Sequence, residues 1–135
     1  MPQLFRRRTV LALLFSGLLG CKDATAPAAC EGPLQVVVSP GVTPSISWSP
    51  ACGISYLVVM AAPASPGALE TMVWGFTVPE LTPLGPGVRY GRLPRGATEM
   101  VPAQPLRAGA AYRVYVTYLV GGDVGTSDGT RIFVP

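Results

Sequence analysis

Few side chains in this sequence are equipped to do chemistry. The chain has three cysteines and no histidine, so the commonest general base, metal ligand and triad member are missing together. Its acids are scattered singly, without the paired carboxylates of glycoside hydrolysis, and a nucleophile, base and oxyanion donor cannot be assembled from what remains. Three features are left. One is thiol chemistry at Cys21, Cys30 and Cys52. The second is the series Arg89, Arg92 and Arg95 in "VRYGRLPRG". On an extended backbone it forms one ridge suited to phosphate or carboxylate groups of a lipid or glycan; the same arginines also serve as a solvated edge that discourages strand aggregation. The third is Asp123 and Asp128 in "GGDVGTSDG", whose spacing fits turn chemistry better than a calcium loop. The expectation is a chain without catalytic residues, metal or cofactor.

The surroundings of Cys21 decide which thiol chemistry applies there. Arg6, Arg7 and Arg8 precede an uncharged apolar run from Thr9 to Leu19. A helix of that length rises about 16 Å, roughly half the hydrocarbon thickness of a bilayer, so the segment reads as a secretory signal rather than a span. The run ends in Leu18-Leu19-Gly20-Cys21, which resembles the lipobox of bacterial lipoproteins. That resemblance covers residues 1–21. It implies that the Cys21 thiol receives a diacylglycerol and that cleavage before it removes 1–20. Lys22 rather than aspartate follows the cysteine, which in that family favours the outer membrane over the inner. Arg7-Arg8-Thr9-Val10-Leu11 also resembles a twin-arginine signal, although a generic basic n-region describes it better.

Processing changes the electrostatics. Lysines and arginines total 10 against 7 acids, and loss of Arg6–Arg8 leaves seven of each. A domain near neutrality lacks the cationic footprint of a nucleic-acid binder. In an oxidising compartment the remaining even pair, Cys30 and Cys52, is expected to form one disulfide across a loop of roughly 20 residues, stabilising the fold by about 3 kcal/mol. Residues 22–29, "KDATAPAA", read as a tether that holds the domain within about 30 Å of the lipid.

From Leu34 onward, short apolar runs at period two are broken by proline and glycine, and helical spacing is absent. Candidate strands are Leu34–Ser39, Ser45–Ser49, Ile54–Ala61, Thr71–Val78, Val88–Leu93, Thr98–Val101, Tyr112–Val120 and Thr130–Val134. This density of strands and turns predicts an all-β sandwich or barrel. Alternation places Ile46 and Trp48 inward, then Ile54, Tyr56, Val58 and Met60, then Tyr112, Val114, Val116 and Tyr118. In "TMVWGFTV", Met72, Trp74, Phe76 and Val78 share a face. It is expected to pack inward; facing outward, it would offer Trp74 as an aromatic binding anchor.

"LRAGAAYRVYV", Leu106–Val116, resembles the junction that leads into the sixth strand of fibronectin type III domains, and "ISYLVVM" resembles their third strand. The resemblance spans about 33–135 and implies an immunoglobulin-like, fibronectin type III-like β-sandwich. Within it Tyr112 makes a tyrosine corner below Leu106, and Trp48 is the buried tryptophan of the second strand. It also puts Cys30 and Cys52 at one pole, consistent with a disulfide. The organisation expected is then a signal peptide (1–20), a lipidated tether (21–32) and one sandwich (33–135). Together these features describe a lipid-anchored, non-catalytic binding or structural module of the cell envelope, with the membrane and an unidentified protein or glycan as partners. An accessory subunit docked on a larger envelope complex is the alternative, and a small carboxylate-dependent hydrolase the remote one.

Overall fold

Apolar alternation interrupted every few residues by proline or glycine leaves no run long enough for a helix. The computed structural model describes residues 30–79, 84–118 and 129–135, and among them every regular element is a strand. These are β1 (Gln35–Val38), β2 (Ser45–Ser49), β3 (Tyr56–Ala61), β4 (Thr71–Thr77), β5 (Val88–Arg89), β6 (Thr98–Val101), β7 (Tyr112–Thr117) and β8 (Gly129–Phe133). They form two antiparallel sheets, β1-β2-β5 and β6-β4-β3-β7-β8, which face each other as a sandwich. Between them lie Val36, Ile46, Trp48 and Val88 from the smaller sheet and Leu57, Val59, Trp74, Phe76, Val114 and Val116 from the larger. Each side chain of this kind contributes about 1.5 to 3 kcal/mol when removed from water.

The strands found agree with those expected at β2 and β6, and elsewhere differ in ways that have physical causes. On β3 the inward face is Leu57 and Val59, whereas Tyr56 and Met60 are only half-buried. Ile54 is in the core, but it belongs to an isolated bridge with Leu84 ahead of the strand. The bend at Ser55 then restarts the alternation, and a one-residue reset exchanges the two faces. Val58 is buried on the outer face instead, where it meets Met72 and Met100 over Gly75; a Cβ at Gly75 would lie 3.1 to 3.3 Å from all three side chains.

A bulge has a similar effect on β4. Val59 pairs with Trp74 and Met60 with Met72, so Val73 is the extra residue. Val73 and Trp74 both reach the core and Met72 turns outward, as expected where two residues oppose one. The run expected as Val88–Leu93 pairs only at Val88 and Arg89. After Tyr90 the chain turns, the Arg92 amide donating to the Arg89 carbonyl at 3.1 Å.

The ends of the sandwich are distinct. At one pole Cys30 is bonded to Cys52 across a sequence separation of 22, with Cα atoms 4.8 Å apart. The Trp48 indole N–H donates to the Cys52 carbonyl at 2.8 Å, fixing the 50–55 loop against the core. Tyr56, Thr77 and Thr117, which are opposite one another in the ladder, also lie at this end. At the far pole the amide of Ala62 donates to Ala111 (3.0 Å) and that of Gly109 to Pro135 (3.2 Å), gathering the 62–70 loop, the crossover before β7 and the C-terminal residue.

The two flanks differ as well. Between β1 and β8 the sheets touch almost backbone to backbone. A Cβ at Gly129 would fall 2.6 Å from Val36 Cγ2, 2.9 Å from Leu34 Cβ and 3.0 Å from the Leu34 carbonyl oxygen, so only glycine fits. Between β5 and β6 the sheets are joined by the hairpin-like excursion 84–97 and by Tyr90.

Candidate functional site

The β5–β6 flank holds the arginine series. Its first arm is fixed at the disulfide pole, where Leu84 and Ile54 exchange both backbone hydrogen bonds (2.9 and 3.1 Å). The chain then descends through Val88 and Arg89 along β2. Tyr90 ties it to the far half of the molecule, its amide donating to Pro44 at 2.9 Å. The turn at Arg89–Arg92 sends the second arm back. A further turn, Ala97 amide to Pro94 carbonyl at 3.1 Å, delivers it to β6, whose Thr98 pairs with Thr77 at the disulfide pole.

Between the arms is an open groove of about 530 Å³. Leu84, Val88, Leu93 and Pro94 supply apolar lining, and Arg89, Arg92 and Arg95 are its exposed charged members. The arginines do meet at one site, though not along the straight ridge that a spacing of three suggests, because the chain reverses between Arg89 and Arg92. Among the described residues no carboxylate lines this groove. The one ion pair among the described residues, Arg113 to Glu70 at 3.0 Å, is on the larger sheet.

Tyr90 is the structural key to the flank. Its hydroxyl donates to the Gln104 carbonyl at 2.6 Å and lies 3.4 Å from that of Val73. Its ring meets Trp74 edge-on at 5.1 Å. Burial pushes the hydroxyl up to about 12, Tyr112 adds to the rise and the bond to Gln104 opposes it. The folded-state value exceeds the ordinary tyrosine value of about 10, so the fold holds this proton more tightly than the unfolded chain does. The resulting stability is complete below about pH 10 and is lost as pH climbs from there toward 12. Tyr90→Phe is expected to cost about 0.5 to 1.5 kcal/mol at neutral pH, by removing the hydroxyl's hydrogen bond to the Gln104 carbonyl while the Val73 carbonyl keeps the Gln104 amide as donor (2.9 Å), and to flatten this alkaline decline. Denaturant midpoints at neutral pH and across pH 9 to 11, compared between the two proteins, provide the check; parallel declines reject the assignment.

The other residues of interest are placed as follows. Trp74 is fully buried, so it has no surface to offer a partner. Alternation and the bulge carry it into the core, where it packs on Phe76 at 5.2 Å, and its indole N–H donates to Glu99 at 3.2 Å. Leu106 and Tyr112 are buried, and the Tyr112 hydroxyl accepts the Arg107 amide at 2.9 Å. Trp48 is buried beside the disulfide. Cys21, Asp123 and Asp128 lie outside the described residues.

Two clusters on the outer face of the larger sheet carry no signal that alternation alone reveals. One is Val58, Met72 and Met100 around Gly75. The other joins Glu70 to Tyr115 (2.8 Å) and Arg113, with the Arg113 guanidinium donating to Tyr115 at 3.1 Å. Its members come from β7 and from the residue before β4, which no sequence window brings together. Comparison of the chain with family models, characterised proteins and solved structures finds no match, so the functional reading rests on these residues themselves.

Proposed function

We propose that this chain is a lipid-anchored protein of the cell envelope whose β-sandwich acts as a non-catalytic binding module held close to its membrane, with the outer membrane favoured. The observation that carries the reading is the attachment of Cys30 to Cys52. It pins the end of the tether that begins at Cys21 to one pole of the sandwich, so that acylation of Cys21 presents that pole to the lipid. The nine peptide steps from Cys21 to Cys30 reach about 30 Å at most. A fibronectin type III-like identity is supported by the Tyr112 hydroxyl, which satisfies a backbone amide five residues upstream as in a tyrosine corner. The placement of β5 beside β2 and of β4, β3, β7 and β8 in one sheet also suits it; β6, added beyond β4, is a departure from the pattern.

Metabolic labelling with a fatty-acid analogue tests the anchor. Wild-type protein is expected to take up label and to migrate as the shortened form. Cys21→Ser is expected to stay unlabelled and uncleaved, because a hydroxyl does not replace the thiolate that accepts the diacylglycerol. Equal labelling of the two would reject the assignment of Cys21.

A further inference from the structure

We infer that Met60, Met72 and Met100 form a binding site for a soft monovalent cation, Cu(I), on the outer face of the larger sheet. The inference is independent of the lipid anchor and goes beyond the reading above by naming a ligand. The chain has four methionines. Met1 lies outside the described residues, and the other three stand together although they come from three different strands, β3, β4 and β6. Met60 is opposite Met72 in the β3–β4 ladder. Met72 and Met100 both reach over Gly75: Met72 Sδ and the Met100 methyl carbon lie 3.1 and 3.2 Å from the point that a Cβ there would occupy. Glycine thus leaves a hollow that both side chains share, bounded below by the buried Val58.

Two bulges produce this arrangement. The extra residue Val73 turns Met72 away from the core. In the β4–β6 ladder Gly75 is opposite Val101 and Phe76 is opposite Glu99, so Met100 is an extra residue as well. Bulges are over-represented beside functional sites, where they re-aim side chains. The cluster is also open to solvent in a way the core is not, since Met60 and Met72 are half-buried and Met100 is 40% exposed. An ion can reach the sulfurs without the sheet opening.

The donor set selects the metal. Thioether sulfur is soft and uncharged, and ligands of this kind favour Cu(I) over the harder divalent ions that take carboxylate and water. Neutral ligands offset none of the cost of desolvating an ion, which falls more heavily on a divalent charge than on a single one. Among the described residues no three of histidine, cysteine, aspartate and glutamate come together to offer a harder ion a competing site. Arg113, which is opposite Met60 on β7, is already paired with Glu70 and so presents little net charge to a cation. Three rotatable bonds in each methionine allow the sulfurs to converge on one ion while the backbone stays in place.

The full-length Cys21→Ser chain in detergent, with carbon-13 in its methionine methyl groups, provides the test. The substitution removes the single thiol outside the Cys30–Cys52 bridge. The probes are Cu(I) kept reduced with ascorbate and Ag(I), which has the same charge and softness. The methyl signals of Met60, Met72 and Met100 are expected to shift together and to stop shifting at one equivalent of either ion, while Met1 stays in place. Zn(II) should move none of them. Met72→Leu and Met100→Leu keep the apolar volume, and denaturant midpoints show whether the fold is retained. Each is expected to weaken Cu(I) binding about tenfold or more in competition with a chromogenic Cu(I) chelator, as loss of a group that merely orients a metal ligand already does. Signals that shift one at a time, or alongside Met1, overturn the proposal by showing isolated thioethers. So does an affinity for Cu(I) that neither leucine substitution changes.

Discussion

Replacing Trp74 by alanine is expected to remove about 3 to 5 kcal/mol of stability, the range for truncating a large aromatic in a packed core. The side chain is fully buried, and it joins the larger sheet to the 84–97 excursion. Its ring packs on Phe76 in its own strand and against Tyr90 at the groove flank, contacts that add about 0.5 to 1.5 kcal/mol each beyond area. A domain of this size has only about 5 to 15 kcal/mol in total, so the variant is expected near the limit of folding. Trp74→Phe separates volume from the hydrogen bond: it keeps most of the ring packing and gives up the N–H donated to Glu99, an exposed carboxylate that water can re-satisfy. Its loss should be less than half that of the alanine variant. Denaturant midpoints at unchanged slope measure both. A loss below about 1 kcal/mol for alanine would mean that Trp74 is not a core side chain.

The double variant Cys30→Ala/Cys52→Ala is expected to lose about 3 kcal/mol, because the bridge restricts a loop of about twenty residues in the unfolded chain. Here the effect extends past the entropy of the loop. The Cys52 carbonyl accepts the Trp48 indole N–H at 2.8 Å, so loosening of the 50–55 loop also loosens the tryptophan beneath it. Unfolding with and without reductant provides an internal control. Wild type should fall to the level of the double variant when reduced, and the double variant should not respond. A wild-type midpoint indifferent to reductant would exclude a stabilising bridge.

The all-β character and the position of most strands were legible because period-two alternation bounded by proline and glycine has few other solutions. What alternation cannot convey is where its count restarts. The bend at Ser55 and the extra residue Val73 each shift the phase by one, which is why Val58, Met60 and Met72 were expected inside while Leu57, Val59 and Val73 are found there. The arginine spacing was visible too, but its meaning depended on backbone direction. An extended chain would align the three along a ridge, whereas the turn after Tyr90 folds them around a groove. Tyr90 itself stood among those arginines as an ordinary strand aromatic. Its partners, Gln104 and Val73, are 14 and 17 residues away, beyond the reach of any local pattern.

The close approach at Gly129 has a consequence for how this molecule can change. One flank is sealed by contacts in which a single methyl group meets a backbone carbonyl, so drift there is limited to the existing residue and insertions have nowhere to go. The other flank is bridged by an excursion of turns whose outer side chains are exposed and whose register depends on a few backbone bonds. New length and new side chains can be accepted there without disturbing the ladder of either sheet. A library built for altered recognition would therefore find its variants in 84–97, and a family descended from this chain would diverge on that side while keeping glycine at 129.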